Sequence, residues 1–277
     1  TIFAYLIPSN FVAVVGAAYE IPLIQSLKVG DTHLSFLPYA HIYERKLMIL
    51  FTSIGFKYGY YSGDPLKLKE DLEELKPTIF SGVPRLYNKF HDVIKGNISK
   101  LPEGKKKFVQ KALNTKLENL KEKGEYTHFL YDLLVTKKMK QALGGNVKVC
   151  ISAAAPLSAE IGDFLKVAFC CPILEGYGAT EVTGASHLQD LSQTESGNVG
   201  AIWANTEMKL VDVPEMNYIS KDKGPNGELI PRGEICLRGP SIFKGYYKDP
   251  ERTTEALDED GWYHTGDIGM IYPSYKL

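Results

Sequence analysis

The residues best suited to chemistry lie in Gly176-Tyr-Gly-Ala-Thr-Glu181, directly after the apolar run Pro172-Ile-Leu-Glu175. Two glycines flank an aromatic ring, and a hydroxyl and a carboxylate follow at once. Thr180 can donate to a phosphate oxygen. Glu181 can hold Mg²⁺, an ion that takes oxygen ligands and shares them with phosphates. Upstream, Ser152-Ala-Ala-Ala-Pro156 carries only small side chains, so Ala154, Ala155 and Pro156 allow a flat ligand close to the backbone. In one reading a purine slots between these residues and the Tyr177 ring, with Gly176 and Gly178 giving it room. In the other, the glycines only turn the chain and Tyr177 is core.

Two further groups stand apart. In Gly261-Trp-Tyr-His-Thr-Gly-Asp-Ile-Gly269, the Asp267 carboxylate can accept both hydroxyls of a ribose, or it can simply shape a loop as an Asx turn. In Leu37-Pro-Tyr-Ala-His-Ile-Tyr-Glu-Arg45, His41 is either functional or an ordinary satisfied histidine. Glu44 and Arg45 there can pair with helix neighbours.

Positioning these groups requires a βαβ framework. Short β-rich runs alternate with helical patterns, the signature of an α/β fold with parallel sheets flanked by helices. Expected strands are 33–37, 56–61, 78–81, 147–151 and 172–175. A helix is expected over 40–54, a second from an Asp64 cap with Pro65 in its first turn, and a third opened by Val83-Pro84-Arg85. Ser158 is expected to cap a helix whose Ile161, Phe164, Leu165 and Ala168 share a face. Ligands in open α/β sheets bind beyond the carboxyl ends of strands, where both nucleotide-like stretches fall. After about residue 205 the pattern becomes turn-rich and β-rich, with a helix near 250–257. The expected organisation is an α/β part over 1–205 and a smaller β-rich subdomain over 206–277.

Composition narrows the classes. The 277 residues are 44% hydrophobic and 23% charged, enough apolar material for a core, which excludes a disordered chain. A net charge of −1 provides no field for nucleic acid, so no nucleic-acid partner is expected. No run of about 18 apolar residues free of charge exists to span a bilayer. Segment 100–145 holds eleven Lys against five acidic residues, net +6, while the rest is net −7. It reads as solvated amphipathic helices or as a basic surface for phosphates or anionic lipid. The four cysteines form no C-x-x-C and read as reduced, packed thiols in an intracellular protein. The six histidines show no i, i+4 pair and no cysteine near in sequence, which argues against a structural zinc site.

Gly-Tyr-Gly-Ala-Thr-Glu (176–181), Ser-Ala-Ala-Ala-Pro-Leu (152–157) and Gly-Trp-Tyr-His-Thr-Gly-Asp (261–267) resemble the core motifs of the acyl-adenylate-forming superfamily. Within it, segments 37–45, 83–87, 209–218 and 238–246 are similar to eukaryotic long-chain acyl-CoA synthetases. The resemblance runs from about Pro8 to Pro273. It implies a ligase that joins a long-chain fatty acid to CoA, using ATP, releasing AMP and pyrophosphate, and requiring Mg²⁺. By the same resemblance Ala154–Pro156, Gly176, Tyr177 and Gly178 meet the adenine, and Thr180 and Glu181 act at the phosphates, Glu181 through Mg²⁺. Asp267 holds the ribose, and His41 lines the acyl and CoA approach. Intact members typically sit on the endoplasmic reticulum or other organelle membranes, so membrane-surface association is implied.

The family's glycine-rich phosphate loop and its mobile C-terminal domain have no counterpart in the sequence. The expectation is therefore a central fragment without standalone ligase activity. The alternative is a non-catalytic remnant that still binds AMP or an acyl group.

Overall fold

The computed structural model describes residues 3–273. In chain order the first elements are α1 (Pro8–Ala18), α2 (Pro22–Ser26), β1 (Thr32–Ser35), α3 (Ile42–Ile54), β2 (Lys57–Tyr60), α4 (Leu68–Leu75), β3 (Ile79–Gly82), α5 (Pro84–Ser99) and α6 (Glu103–Lys123). Then come α7 (Phe129–Tyr131), a π turn over Asp132–Thr136, α8 (Lys137–Lys140), β4 (Val149–Ser152), α9 (Ala159–Phe169), β5 (Ile173–Tyr177) and β6 (His187–Leu188). The last are β7 (Ala201–Ile202), β8 (Glu207–Val211), β9 (Arg232–Arg238), α10 (Pro250–Ala256) and β10 (Tyr263–Met270). The chain forms two compact units. The larger comprises Ile21–Gly178 and His187–Gly200; the smaller takes the residues up to Glu20, Ala179–Ser186 and those from Ala201 onward.

In the larger unit the strand order is β2-β1-β3-β4-β5-β6. The first five strands are parallel, and β6 runs antiparallel to β5 through the pair Tyr177↔His187. This is the α/β fold that the alternating pattern predicts. Both β3 and β4 are buried along their whole length, as parallel strands covered on both faces must be. Phe80, Tyr87, Cys150, Leu165, Phe169 and Ile173 make one apolar core there. Phe90 meets Phe80 and Phe169 edge-on at 5.9 and 5.8 Å, the arrangement ring quadrupoles favour.

Several local expectations are corrected. Asp64 does not cap a helix: its carboxylate accepts from the Leu66 N–H at 2.9 Å, closing a turn, and α4 begins only at Leu68. Ser158 sits at the N-cap of α9, yet its hydroxyl makes no capping bond. Phe164, Leu165 and Ala168 are buried as the periodicity requires, with Ile161 packed partly against the same core. Segment 100–145 is helical but not wholly solvated. Lys116 of α6 is fully buried, its ammonium donating to Asp132 Oδ1 at 2.5 Å, the Val167 carbonyl at 2.6 Å and Cys170 Sγ at 3.2 Å. A buried ammonium requires such partners, and sequence periodicity had no means of assigning them.

All four cysteines are free. Cys150, Cys171 and Cys236 are buried and Cys170 is half-buried; Cys150 and Cys171 bring their sulfurs to 3.9 Å.

The smaller unit contains a three-stranded antiparallel sheet, β10-β9-β8. Its β8–β9 ladder is regular, with Lys209 opposite Cys236. The β9–β10 ladder is not. His264 pairs with Cys236 and Ile268 with Glu234, so residues 265–267 face Ile235 alone. Such bulges bend a strand and re-aim its side chains. Among the described residues no helix is long and apolar enough to cross a membrane.

Candidate functional site

In the larger unit, β4 and β5 end side by side, with Ser152 in register with Glu175. Ala154, Ala155 and Pro156 follow β4 and are all exposed. Ala154 holds φ +74°, the left-handed region that a Cβ disfavours. Strain of this kind is kept only where the surroundings impose it, and it gathers at ligand sites.

Glu175, buried in β5, ties three neighbouring segments together. Its carboxylate accepts from the Gly197 N–H at 2.8 Å and the Leu157 N–H at 3.4 Å, and its own N–H donates to Gln189 Oε1 at 2.8 Å. Burial pushes its carboxyl up, and the two N–H donors only partly offset this. Tyr177 closes β5, half-buried, its ring edge-on to His187 at 5.7 Å. Burial drives the His187 pKa down to about 4, so a neutral imidazole backs the tyrosine at physiological pH. A Cβ on Gly176 would stand 3.2 Å from both the His187 carbonyl and Leu188 Cδ1, so the glycine permits the tight β5–β6 crossing.

In the smaller unit, Thr180 and Glu181 open a single tight turn, Thr180–Val182. Thr180 is exposed, and its carbonyl accepts from the Thr183 N–H at 3.0 Å. Glu181 is anchored twice. Its carbonyl accepts from the Phe243 N–H at 2.7 Å, and its Oε1 accepts from the Tyr246 hydroxyl at 2.9 Å. Burial and the adjacent carboxylate raise the Tyr246 phenol to about 12, so it remains a donor. Thr183, with φ +57°, donates its hydroxyl to the Ser241 carbonyl at 2.6 Å and pins the turn from below.

Asp267 lies in the β10 bulge, exposed. The turn is formed by Thr265, whose hydroxyl donates to the Ile235 carbonyl at 2.8 Å and accepts from the Asp267 N–H at 3.0 Å. Gly266, at φ +72°, donates its N–H to Glu234 Oε1 at 3.0 Å. The Asp267 carboxylate is therefore delivered to the surface by a turn built from other groups.

His41 occupies the N-cap of α3, exposed, with Nδ1 accepting from the Tyr43 N–H at 3.2 Å. Neither Glu44 nor Arg45 has a helix neighbour as the partner found here: Glu44 is fully buried and faces His33 Nε2 at 3.3 Å, while Arg45 lies over the Tyr39 ring at 5.5 Å. Sequence reasoning missed Glu175, His187 and Tyr246 as supporting groups. Glu175 had one signal, its place at the end of an expected strand; His187, which reaches Tyr177 through strand register, and Tyr246, which lies outside the named strands, had none in the sequence.

The larger unit's sheet and the small antiparallel sheet are those of adenylate-forming domains. The adenylation domain of a carboxylic acid reductase from Segniliparus rugosus, solved with AMP and a carboxylic acid, superposes with a TM-score of 0.67 at 26% identity, covering 99% of this chain and 38% of that one. The sequence profile of the AMP-binding enzyme family matches residues 8–247, and the chain belongs to that family. Among curated relatives, the peroxisomal long chain acyl-CoA synthetase 7 of Arabidopsis thaliana is 45% identical over 97% of this chain and 37% of its own length. Fatty acyl-CoA synthetase A of Dictyostelium discoideum is 43% identical over 86% of the chain and 35% of its own length. The chain thus spans about a third of the relatives it matches.

Proposed function

We propose that this chain is the nucleotide-handling part of a long-chain fatty acid–CoA ligase. In the first step a fatty acid carboxylate oxygen attacks the α-phosphorus of ATP, forming acyl-AMP and expelling pyrophosphate. In the second, the CoA sulfur attacks the acyl carbon and AMP leaves. The observation that carries this is the identity of 43–45% to acyl-CoA synthetases across 86–97% of the chain, with each motif in order.

The roles assigned to this chain's residues are those their chemistry allows. Ala154, Ala155 and Pro156, with no side chain beyond Cβ or a ring, leave room for an adenine, and Tyr177 offers it a face alongside Gly176 and Gly178. Thr180 donates to the α-phosphate. Glu181, with one oxygen engaged by Tyr246, suits Mg²⁺ as a monodentate carboxylate ligand; the ion would neutralise phosphate charge. Asp267 accepts the ribose hydroxyls. His41, whose Nδ1 is occupied by the cap, presents Nε2–H toward the acyl and CoA approach. Charge stabilisation and positioning, rather than covalent catalysis by the protein, then supply the rate. Organelle-membrane residence follows the same reading, and one relative's own name places it in the peroxisome.

The test is pyrophosphate release from oleate and ATP by the full-length protein, with AMP binding followed by calorimetry. Loss of release in Glu181→Ala, with AMP still bound, is expected. Unchanged release in both Glu181→Ala and Asp267→Ala would overturn the assignment.

A further inference from the structure

Glu234 and Cys236 lie two residues apart on β9, so strand periodicity turns both side chains to one face. His264 stands opposite Cys236 on β10. His264 Nδ1 is 3.0 Å from Glu234 Oε2 and 3.4 Å from Cys236 Sγ, and that sulfur is 3.8 Å from the same Oε2. Zinc bonds of about 2.0–2.3 Å in a tetrahedron set neighbouring N, O and S donors about 3.3–3.7 Å apart. The S···N separation lies within that range, and the N···O and S···O separations miss it by 0.3 and 0.1 Å, so small side-chain rotations bring the three donors onto one face of such a tetrahedron.

The surroundings fit as well. His264 Nε2 faces Asp258 Oδ2 at 3.5 Å, the outer carboxylate that fixes a ligating histidine's tautomer and leaves the other nitrogen to the metal. The nearby cation, Lys209, shares that same carboxylate oxygen: its ammonium lies 3.7 Å from Asp258 Oδ2 and 4.5 Å from the Trp262 ring centroid. Cys236 is buried, whereas the His264 and Glu234 side chains are 30% and 20% exposed. An ion can therefore arrive from their side and keep a water at its fourth corner.

We infer that Glu234, Cys236 and His264 form a zinc site that clips β9 to β10 beside the bulge. A thiolate and an imidazole select zinc over Mg²⁺ or Ca²⁺, which take oxygen ligands. Three coordinate bonds form, the thiol proton passes to solvent, and the proton that His264 Nδ1 shares with Glu234 gives way to the metal while the ring carries its proton on Nε2 toward Asp258. No electron is transferred. The 28-residue gap between Cys236 and His264 hides the site in the sequence, and strand register closes it. The inference stands on these side chains alone and is independent of the ligase reading.

Full-length protein stripped of metal by a chelator is titrated with Zn²⁺ by calorimetry and with Co²⁺ by absorption. One ion per chain, a thiolate-to-cobalt charge-transfer band and a zinc-raised unfolding midpoint are expected. Cys236→Ser abolishes the band. Glu234→Gln, His264→Gln and the outer-shell Asp258→Asn each weaken binding by about tenfold or more, while Cys170→Ser changes nothing. Absence of the band at saturating cobalt overturns the site, as does its survival in Cys236→Ser. Should Cys236→Ser fail to fold, unchanged binding in both Glu234→Gln and His264→Gln overturns it equally.

Discussion

The strand ends of the larger unit and the bulged ribbon of the smaller one present functional groups by opposite means. At the ends of β4 and β5 the candidate residues other than Tyr177 are small or glycine, and the backbone itself is shaped by buried groups, chiefly Glu175 and His187. In the smaller unit, Glu181 and Asp267 are side-chain oxygens presented by turns that Tyr246, Thr265 and Glu234 hold through hydrogen bonds. The lesson is that site geometry is coupled to core packing in the first region and nearly decoupled from it in the second. Substitutions in the first should cost stability and function together; those in the second should cost function alone.

The largest separation of the two effects is expected at Glu181. Glu181→Ala should lower pyrophosphate release by about 10²–10³-fold, the usual loss for one electrostatic contributor, with the unfolding midpoint unchanged. A large loss of midpoint would break the comparison. The reverse is expected at Lys116→Met. Leaving the Asp132 carboxylate without its buried partner should destabilise the protein by about 3 kcal/mol in denaturant unfolding, with AMP affinity intact. Gly176→Ala should do both at a smaller scale: about 1 kcal/mol of stability, from a contact that neighbours can partly relax, and a severalfold loss of AMP affinity. Tyr246→Phe removes one hydrogen bond to a carboxylate, so a rate loss of about three- to tenfold is expected, visible in kcat and with unchanged AMP affinity.

The smallest effect lies in acid. Burial would raise the Asp132 carboxyl, but the Lys116 ammonium and the His128 N–H outweigh it and hold it below its usual 3.8. A carboxyl lowered in the folded state contributes stability above pH 3.8, and that contribution disappears as pH falls through the lower folded value. Unfolding midpoints measured downward from pH 4 should therefore fall less steeply in Lys116→Met than in the parent. An equal slope would show that this pair does not contribute to the acid limb.

What the sequence discloses divides along the same line. The parallel strands and α9 are legible because burial on both faces writes itself as apolar runs and periodic stripes, as in Val149–Ser152 and Phe164, Leu165 and Ala168. The chemistry-bearing motifs are legible as residue types. Tertiary partnership is not: the buried role of Lys116 depends on Asp132 and the Val167 carbonyl, and that of Glu44 on His33 of the preceding strand. Asp64 had the right residue type for a helix cap and a competing local use, the Leu66 turn, took it. Glu234, Cys236 and His264 meet only through the register of β9 and β10, which no linear spacing encodes.

The distribution of thiols gives the molecule its own reporters of opening. A bulky, water-soluble alkylating reagent cannot reach Cys150 or Cys171 beside each other in the larger unit's core, nor Cys236 in the smaller sheet, without a local or global excursion. Their modification rates, resolved by peptide mass, would time the breathing of each unit separately within one tube. Half-buried Cys170, held by Lys116 and Thr136, would register the fraying of the lysine-rich helices before either core yields.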